Sequence, residues 1–221
     1  MLFDSRRRRA LATVAATTVL PFLTAVMPSS ATAQELRFGD PRHDVVTIDP
    51  ASDSLEPSPN PAHANGDITS AFVHFRKGRM VVRVDFAELT PRRNELFEYT
   101  GAVFTSKRQA FAFDVSTSPG TYVGHDMLLR GNGKPACEVG HRLDWQRDFA
   151  RVVIPLSCLD HPRWVRLGFG AITFAFDPEL LATGKLQAGS LLAHIDHASH
   201  DERDDLGLTP RIHVPRHGWT A

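Results

Sequence analysis

The stretch "DITSAFVHFRKGRMVVRVDFAEL" (residues 67–89) decides the fold class of this chain. Apolar residues occupy every second position on both sides of a Lys77-Gly78 pair: Ala71, Val73 and Phe75 before it, and Met80, Val82, Val84 and Phe86 after it. A period of two residues is typical of a strand that buries one face, and a short glycine-containing break between two such runs is typical of a turn. The stretch therefore predicts an antiparallel β-hairpin.

The same alternation recurs further along the chain. The segment "QAFAFDVST" (109–117) is followed by a Pro119-Gly120 turn and a second run from Tyr122 to Leu129, and "RWVRLGFGAITFAF" (163–176) reads as one long apolar strand. Only "PELLATG" (178–184) has the composition of a short helical turn. Seven to nine strands separated by turn signals predict an all-β fold, a single antiparallel β-sandwich of the jelly-roll or immunoglobulin-like kind.

Two segments lack this alternation and are expected to be loops. Residues 49–67 contain four prolines and no periodic pattern, so they predict a loop between strands. Residues 196–210 are highly charged and have almost no apolar residue before Leu206, so they predict an exposed loop near the C-terminus.

The N-terminus has the pattern of an export signal. Four arginines (Arg6 to Arg9) precede an apolar run from Ala10 to Val26, and Ala31-Thr32-Ala33 provides the small residues that signal peptidase requires. The apolar run is short for a membrane span, which needs about 20 apolar residues. We therefore expect a cleaved signal peptide over 1–33, export by the general or the twin-arginine route, and a secreted single domain over 34–221 without a membrane span.

The charge balance limits the choice of partners. The whole chain has 25 basic and 25 acidic residues, and removal of residues 1–33 takes away four arginines and one aspartate, which leaves a net charge of about −3. Nucleic-acid binding depends on an excess of Lys and Arg that neutralises phosphates. Nucleic acid is therefore not expected as a partner.

Two cysteines, Cys137 and Cys158, are present, and an even pair in an exported protein predicts a disulfide. The segment between them reads as two strands around a turn at 144–148, and folding the chain there brings the two cysteines side by side. The alternative is a pair of free buried thiols.

The segment "HIDHASHDE" (194–202) raises the question of a metal site, since it contains His194, His197 and His200 among carboxylates. Side chains three residues apart scatter over both faces of a strand, and zinc requires three or four converging ligands. We expect a solvated polar loop with dispensable histidines; a metal-binding cluster is the alternative.

Asp49, Asp53 and Asp67 flank the proline-rich loop. Calcium takes six to eight oxygen ligands, many of them carboxylates on loops, but Asp is also common in turns because its side chain caps them. The residues alone leave both readings open.

No nucleophile or metalloprotease motif is present: the sequence contains neither Gly-x-Ser-x-Gly nor His-Glu-x-x-His. An enzyme is therefore less favoured than a binding domain.

Trp145, at the predicted hairpin tip, and Tyr122 are the candidate ligand-binding aromatics, since exposed rings of this kind can stack on sugars.

Four segments together resemble a known group: "DPASD" (49–53), the hairpin (66–89), "FDVSTSPGTY" (113–122) and "VVIPLSCLDHPRWVRLGFGA" (152–171). They are similar to secreted actinobacterial proteins of unassigned function, which in turn resemble the β-sandwich of family 9 carbohydrate-binding modules and DOMON-like domains. In the sugar-binding relatives an Asp-rich segment before the first core strand helps bind a structural calcium, and Asp49, Asp53 and Asp67 occupy the matching segment here. The relatives hold the sugar between two exposed aromatics, a pair that is not assignable in this sequence.

Three functions follow as expectations. The first is a secreted, non-enzymatic domain that binds an extracellular or cell-envelope polysaccharide and contains a structural calcium. The second is a metal-dependent hydrolase that uses the 194–202 cluster. The third is an envelope structural protein without a small ligand.

Overall fold

Strands account for most of the chain in the computed structural model, which describes residues 35–50, 52, 55–183, 191–198 and 207–215. These residues all belong to one unit, Ala31–Ala221. The predicted signal peptide (1–33) lies outside the described residues.

The described part of the chain contains thirteen strands and one short α-helix. They are β1 (Leu36–Gly39), β2 (Val46–Ile48), β3 (Ser58–Pro59), β4 (Ile68–Arg76), β5 (Arg79–Phe86), β6 (Glu95–Thr105), β7 (Ala110–Ser118), β8 (Thr121–Arg130), β9 (Gly140–Asp144), β10 (Phe149–Pro155), β11 (Trp164–Ala175), α1 (Pro178–Ala182), β12 (Leu192–Ala198) and β13 (Ile212–His213). A 3₁₀ turn, Leu156–Leu159, follows β10.

The strands form two antiparallel sheets. One has the order β1-β4-β5-β10-β9, and the other has the order β3-β2-β12-β11-β6-β7-β8, with β13 paired to β11. This arrangement confirms the predicted all-β antiparallel sandwich. Eight strands have seven or more residues, as the seven to nine runs of alternating sequence indicated, and the additional strands are short segments of two to five residues.

The hairpin that decided the fold class is the β4–β5 pair. Lys77 and Gly78 both have positive φ angles, 48° and 70°, as the two-residue turn of type I′ requires. Gly120 (φ 80°) plays a similar part between β7 and β8. In both places the turn lies where the sequence placed it.

The core lies between the two sheets and consists of the inward residues of each strand. On the five-stranded side these are mainly aliphatic, such as Val73, Val82 and Val152, and on the eight-stranded side aliphatic residues are mixed with more aromatic ones, such as Tyr99 and Phe113. Burial of one such side chain contributes about 1.5–3 kcal/mol. A Cβ at Gly101 would lie 2.4 Å from the Phe113 ring, so only glycine fits at that position of β6.

The two cysteines form the predicted disulfide, with 5.9 Å between their Cα atoms. Cys137 precedes β9 and Cys158 lies in the 3₁₀ turn after β10, so the β9–β10 hairpin brings them together. The turn of that hairpin occupies residues 145–148, in agreement with the sequence.

The prediction of an exposed loop over 196–210 is wrong at both of its described ends. Residues 196–198 belong to β12, where Asp196 and Ala198 are buried, and Leu208 and Thr209 are buried as well. The error arose because the inward side of β12 carries polar residues, which the apolar alternation does not reveal.

The helical turn at 178–184 is confirmed over Pro178–Ala182. None of the helices in the described residues is long and apolar enough to span a bilayer.

Removal of the disulfide should destabilise the fold. The bond closes a loop with a sequence separation of 21, and loss of a native disulfide of this kind costs roughly 2–5 kcal/mol. We expect the double variant Cys137→Ser, Cys158→Ser to show this decrease in urea unfolding at pH 7. The wild type measured in reductant is the matched control, because it should lose the same free energy without a change of sequence.

Candidate functional site

Four aspartates gather where the two sheets meet at one edge of the sandwich. Asp40 directly follows β1, Asp44 lies between β1 and β2, Asp67 directly precedes β4, and Asp196 lies on β12. One carboxylate oxygen from each of Asp40, Asp44 and Asp196 lies within 4.8 Å of the others. We call these four residues the aspartate cluster.

Three members of the cluster are buried. The exposed fractions of Asp40, Asp67 and Asp196 are 9%, 0% and 3%, while Asp44 is exposed. Oδ2 of Asp196 accepts a hydrogen bond from the backbone N–H of Ile68 (2.5 Å), and Oδ2 of Asp67 accepts one from the N–H of His43 (3.1 Å). Oδ1 of Asp67 is buried without a hydrogen-bond partner among the described residues.

The concentration of carboxylates disfavours their ionised state. Burial raises the pKa of Asp196 to about 7, and the charges of Asp44 and Asp67 add to this effect. Burial and the charge of Asp67 also raise the pKa of Asp44. Either protons or a cation can relieve the repulsion, and a set of hard carboxylate oxygens is the donor type that calcium takes.

The three aspartates that the sequence proposed relate to the cluster in different ways. Asp67 belongs to it, Asp49 is exposed in the turn after β2, and Asp53 lies outside the described residues. The sequence missed Asp40, Asp44 and Asp196. The one local signal for them is the pair of aspartates in "GDPRHD" (39–44), four residues apart at the end of a strand.

His194 is not an exposed imidazole, which corrects the expectation for residues 194–202. It is buried on β12, its ring stacks on that of His63 with 3.7 Å between centroids, and its Nδ1 is hydrogen-bonded to Oγ1 of Thr47 (2.8 Å). His197 is exposed on the opposite face of β12, and His200 lies outside the described residues. His194 and His197 therefore do not converge on one metal ion.

The environment of His194 favours its neutral form. Burial lowers the pKa of His194 to about 4, and the neighbouring His63 acts in the same direction. His63 is hydrogen-bonded to Oγ1 of Thr173 (2.9 Å), and burial lowers its pKa as well. The stacked pair is thus a neutral packing element at pH 7.

Trp145 and Tyr122, the predicted ligand-binding aromatics, lie together with 6.3 Å between ring centroids. Trp145 packs edge-on against Phe97 of the core and donates its indole N–H to the carbonyl of Tyr122 (2.9 Å). The two rings are nearly perpendicular, at 82°. This geometry closes one end of the core and does not present two parallel rings to a sugar.

A row of arginines crosses the outer face of the five-stranded sheet. In the register of the strands, Arg37 is opposite Phe72, Phe72 is opposite Arg83, Arg83 is opposite Arg151, and Arg151 is opposite Arg142. One transverse line therefore has four arginines and one phenylalanine on five adjacent strands. With a strand spacing of about 4.8 Å, the line is about 19 Å long.

Aromatic rings hold several of these arginines against the sheet. The guanidinium carbon of Arg37 lies 4.8 Å from the centre of the Phe72 ring, and those of Arg83 and Arg142 lie 4.0 and 5.6 Å from the Phe149 ring. Nε of Arg83 also donates to Asp85 (2.9 Å). Cation–π contacts and this ion pair orient the guanidinium groups before any ligand arrives.

A groove of about 460 Å³ lies on this face, and we call it the arginine groove. Its lining includes four arginines (Arg37, Arg76, Arg83 and Arg151), Phe72, His74 and Asp85. Arg37, Arg76 and Arg151 are exposed and form no ion pair with a carboxylate of the described residues. The groove is therefore a basic site in a chain whose total charge is balanced.

The outer face of the eight-stranded sheet has a different character. Small and apolar residues, among them Ala102, Gly168 and Ile195, line a trough of about 350 Å³ there. Beside it, Glu98 is hydrogen-bonded to Asp114 on the neighbouring strand, and burial together with this carboxyl partner raises the pKa of Glu98 to about 7. The sequence predicted neither feature.

Comparison with known proteins gives no match, whether to a family model, to a curated protein or to a solved structure.

Replacement of His194 should lower the free energy of unfolding more than replacement of His197. His194→Gln removes a buried stacked ring with a hydrogen bond, so we expect a loss of about 1–3 kcal/mol in the free energy of unfolding. His197→Gln, three residues away on the exposed face, should stay within about 0.5 kcal/mol of the wild type. Urea unfolding at pH 7 measures both.

The pH dependence provides a second measurement. Because the folded pKa of His194 (about 4) is below the ordinary value of 6.5, the unfolded state takes up a proton first as the pH falls. The contribution of His194 to stability is thus present above pH 6.5 and is lost between pH 6.5 and 4. The difference in unfolding free energy between wild type and His194→Gln should shrink over that range, and a constant difference would contradict the assignment.

Proposed function

We propose that this chain is a secreted, non-enzymatic β-sandwich domain that binds an extracellular or cell-envelope glycan. The arginine groove is the observation that carries this proposal. Its arginines offer planar forks of hydrogen-bond donors, two of which (Arg37 and Arg83) are held by neighbouring side chains, and Phe72 adds an aromatic surface. Polysaccharides expose many hydroxyl oxygens and apolar C–H faces, which are complementary to such a lining.

The chemistry of the groove favours binding over hydrolysis. Glycosidases use a pair of carboxyl groups on either side of the scissile bond. Among the described residues that line the arginine groove, Asp85 is the one carboxylate, and it is paired with Arg83. The disulfide supports the proposed location, because such bonds persist in oxidising compartments. The resemblance to carbohydrate-binding sandwiches supports the same conclusion.

We also propose that the aspartate cluster binds a structural calcium ion. Its members belong to three separate segments: the connection after β1, the start of β4, and β12. Because β4 and β12 are in different sheets, an ion bound there would join the two sheets. Its chemical contribution is a divalent charge that lets buried carboxylates remain ionised.

Calcium should therefore stabilise the protein through these residues. Binding to the folded state alone adds about 2.7 kcal/mol at a concentration 100 times the Kd. We expect millimolar calcium to raise the melting temperature of chelator-treated protein, and Asp196→Asn or Asp44→Asn to reduce that increase strongly. Asp49→Asn is the matched control, since Asp49 is exposed outside the cluster and should leave the increase unchanged. An unchanged melting curve in the wild type would show that the site does not exist.

The pH dependence of this effect has a definite sign. The folded pKa of Asp196, about 7, exceeds the ordinary value of 3.8, so without calcium the folded state holds a proton that the unfolded state releases. The contribution of Asp196 therefore favours folding at low pH and is lost as the pH rises through about 7. Calcium replaces that proton, so its stabilising effect should increase from pH 5 to pH 8.

Glycan binding is tested with a panel of polysaccharides that includes cellulose, xylan, peptidoglycan and polygalacturonate. We expect the purified protein to bind at least one of them in a sedimentation or titration assay, and Phe72→Ala to weaken that binding. Phe174→Ala, on the outer face of the other sheet, removes the same aromatic area and should have no effect. Failure to bind any glycan of the panel would contradict the proposal.

A further inference from the structure

We propose that the arginine groove selects a linear polysaccharide with carboxylate groups, which lies across the strands of the five-stranded sheet. This inference rests on the proposed glycan-binding function and names the class of glycan. The juxtaposition that points to it is a line of guanidinium groups on neighbouring strands, with one aromatic ring and one carboxylate among them.

The charge of the groove is strongly one-sided. Four arginines face it against one carboxylate, Asp85, and three of these arginines have no ion pair with the described carboxylates. A guanidinium group presents a planar fork of donors that matches a carboxylate with two parallel hydrogen bonds. The groove thus offers several fork-shaped sites for anions, which a neutral sugar would leave without a counter-charge.

The spacing of the arginines suits a polymer better than a single small anion. Because the line from Arg37 to Arg142 crosses five strands, the backbone positions of its four arginines are distributed over about 19 Å. One carboxylate ion occupies only one or two of them. A polysaccharide with a carboxyl group on successive sugars can contact several of these arginines at once. After the first contact forms, the others are intramolecular, so the local concentration of carboxylates near the remaining arginines is high.

Two of the four arginines that line the groove are held in place before binding. Arg83 is fixed by Asp85 and by the Phe149 ring, and Arg37 lies over Phe72. Ordering a long side chain at an interface costs roughly 0.5–1.5 kcal/mol, and side chains that are already held avoid part of that cost. Arg37 and Arg83 therefore offer their donors to a ligand at a reduced ordering cost.

The remaining polar groups favour a glycan over a phosphate polymer. Asp85 and His74 line the same groove, and burial lowers the pKa of His74, so its ring is neutral at pH 7 and has an acceptor nitrogen. Carboxylate and imidazole acceptors are complementary to sugar hydroxyl groups, and a polyphosphate has no hydroxyl donors to offer them. Proteins that bind single-stranded nucleic acid stack bases on several aromatic side chains, but Phe72 is the one aromatic ring besides His74 among the described lining residues.

The test is a titration of the purified protein with a linear oligogalacturonate and with the same oligomer after methyl esterification of its carboxyl groups. The two ligands differ in charge and share a backbone. We expect the acid form to bind and the ester to bind at least tenfold more weakly. Binding of the acid form should also weaken as the salt concentration rises, because the contacts are exposed ion pairs.

The variants locate the binding site. Arg37→Gln with Arg151→Gln removes two exposed arginines of the groove and should weaken binding of the acid form roughly tenfold or more, since hydrogen bonds to charged groups are the stronger kind. The matched control is Arg93→Gln with Arg163→Gln, which removes two exposed arginines outside the groove and should leave binding unchanged. The Lys versions of the groove variant keep the charge and lose the planar fork, so they should bind with intermediate strength. All variants should melt at the wild-type temperature.

The outcomes separate this inference from the function on which it rests. Equal binding of the acid and the ester, or binding only of neutral members of the polysaccharide panel, would overturn the carboxylate preference and leave glycan binding intact. Tighter binding of polyphosphate or of single-stranded DNA would identify a phosphate polymer as the partner and overturn the inference. If no polysaccharide binds, the proposed function itself fails.

Discussion

The constraint on which the structure depends is that every long strand buries one of its two faces against the opposite sheet. Because side chains alternate, a slip of one residue in any strand would turn its apolar set outwards and its polar set into the core. Val73, Val82 and Val152 are opposite one another across three strands and are all buried. Their sequence neighbours Phe72, Arg83 and Arg151 therefore form a straight row on the outer face. The register that the core requires is the same register that aligns the arginines.

At the edge where the two sheets meet, inward positions of β12 carry polar residues instead of apolar ones. Asp196 and His194 are both inward residues of β12, although burial of a polar group is unfavourable unless it has a partner. Asp196 binds the backbone of Ile68, the first residue of β4, and thus connects two strands of different sheets. The two side chains titrate in opposite senses, since acid restores the contribution of Asp196 and removes that of His194. Between pH 4 and 7 the free energy of unfolding therefore contains two contributions that change with pH in opposite directions. Substitution of Asp196 alone or of His194 alone measures each contribution separately.

The features that the sequence predicted correctly depend on patterns among neighbouring residues. The features that it missed depend on contacts between residues far apart along the chain. The β4–β5 hairpin and the disulfide depend on alternation and turns within about twenty residues, so both were predicted correctly. The aspartate cluster joins Asp67 to Asp196, 129 positions later, and no local period reports such a contact. The same limit explains His194: a polar residue on the inward side of a strand has the sequence pattern of a loop, and only the opposite sheet shows that it is buried. Asp49 was proposed as a calcium ligand because it flanks the proline-rich loop, and its exposed position in a turn agrees with the alternative, that it caps this turn.

The balanced composition of the chain conceals an unequal distribution of charge. With 25 basic and 25 acidic residues, the chain as a whole would not attract a polyanion if its charges were mixed evenly over the surface. Here several carboxylates are withdrawn from the outer face of the five-stranded sheet: Asp196 and Asp67 are buried at the edge, and Glu98 and Asp114 lie together on the other sheet. The arginines on the five-stranded sheet are consequently left in excess. Within a Debye length of about 8 Å at physiological salt, a ligand in the groove responds to those arginines and hardly at all to the distant carboxylates. The total charge of a chain therefore does not determine which ligand one of its faces binds. The charge of a face depends on which strands pair in the sheet and on which side chains their register places on the outer surface.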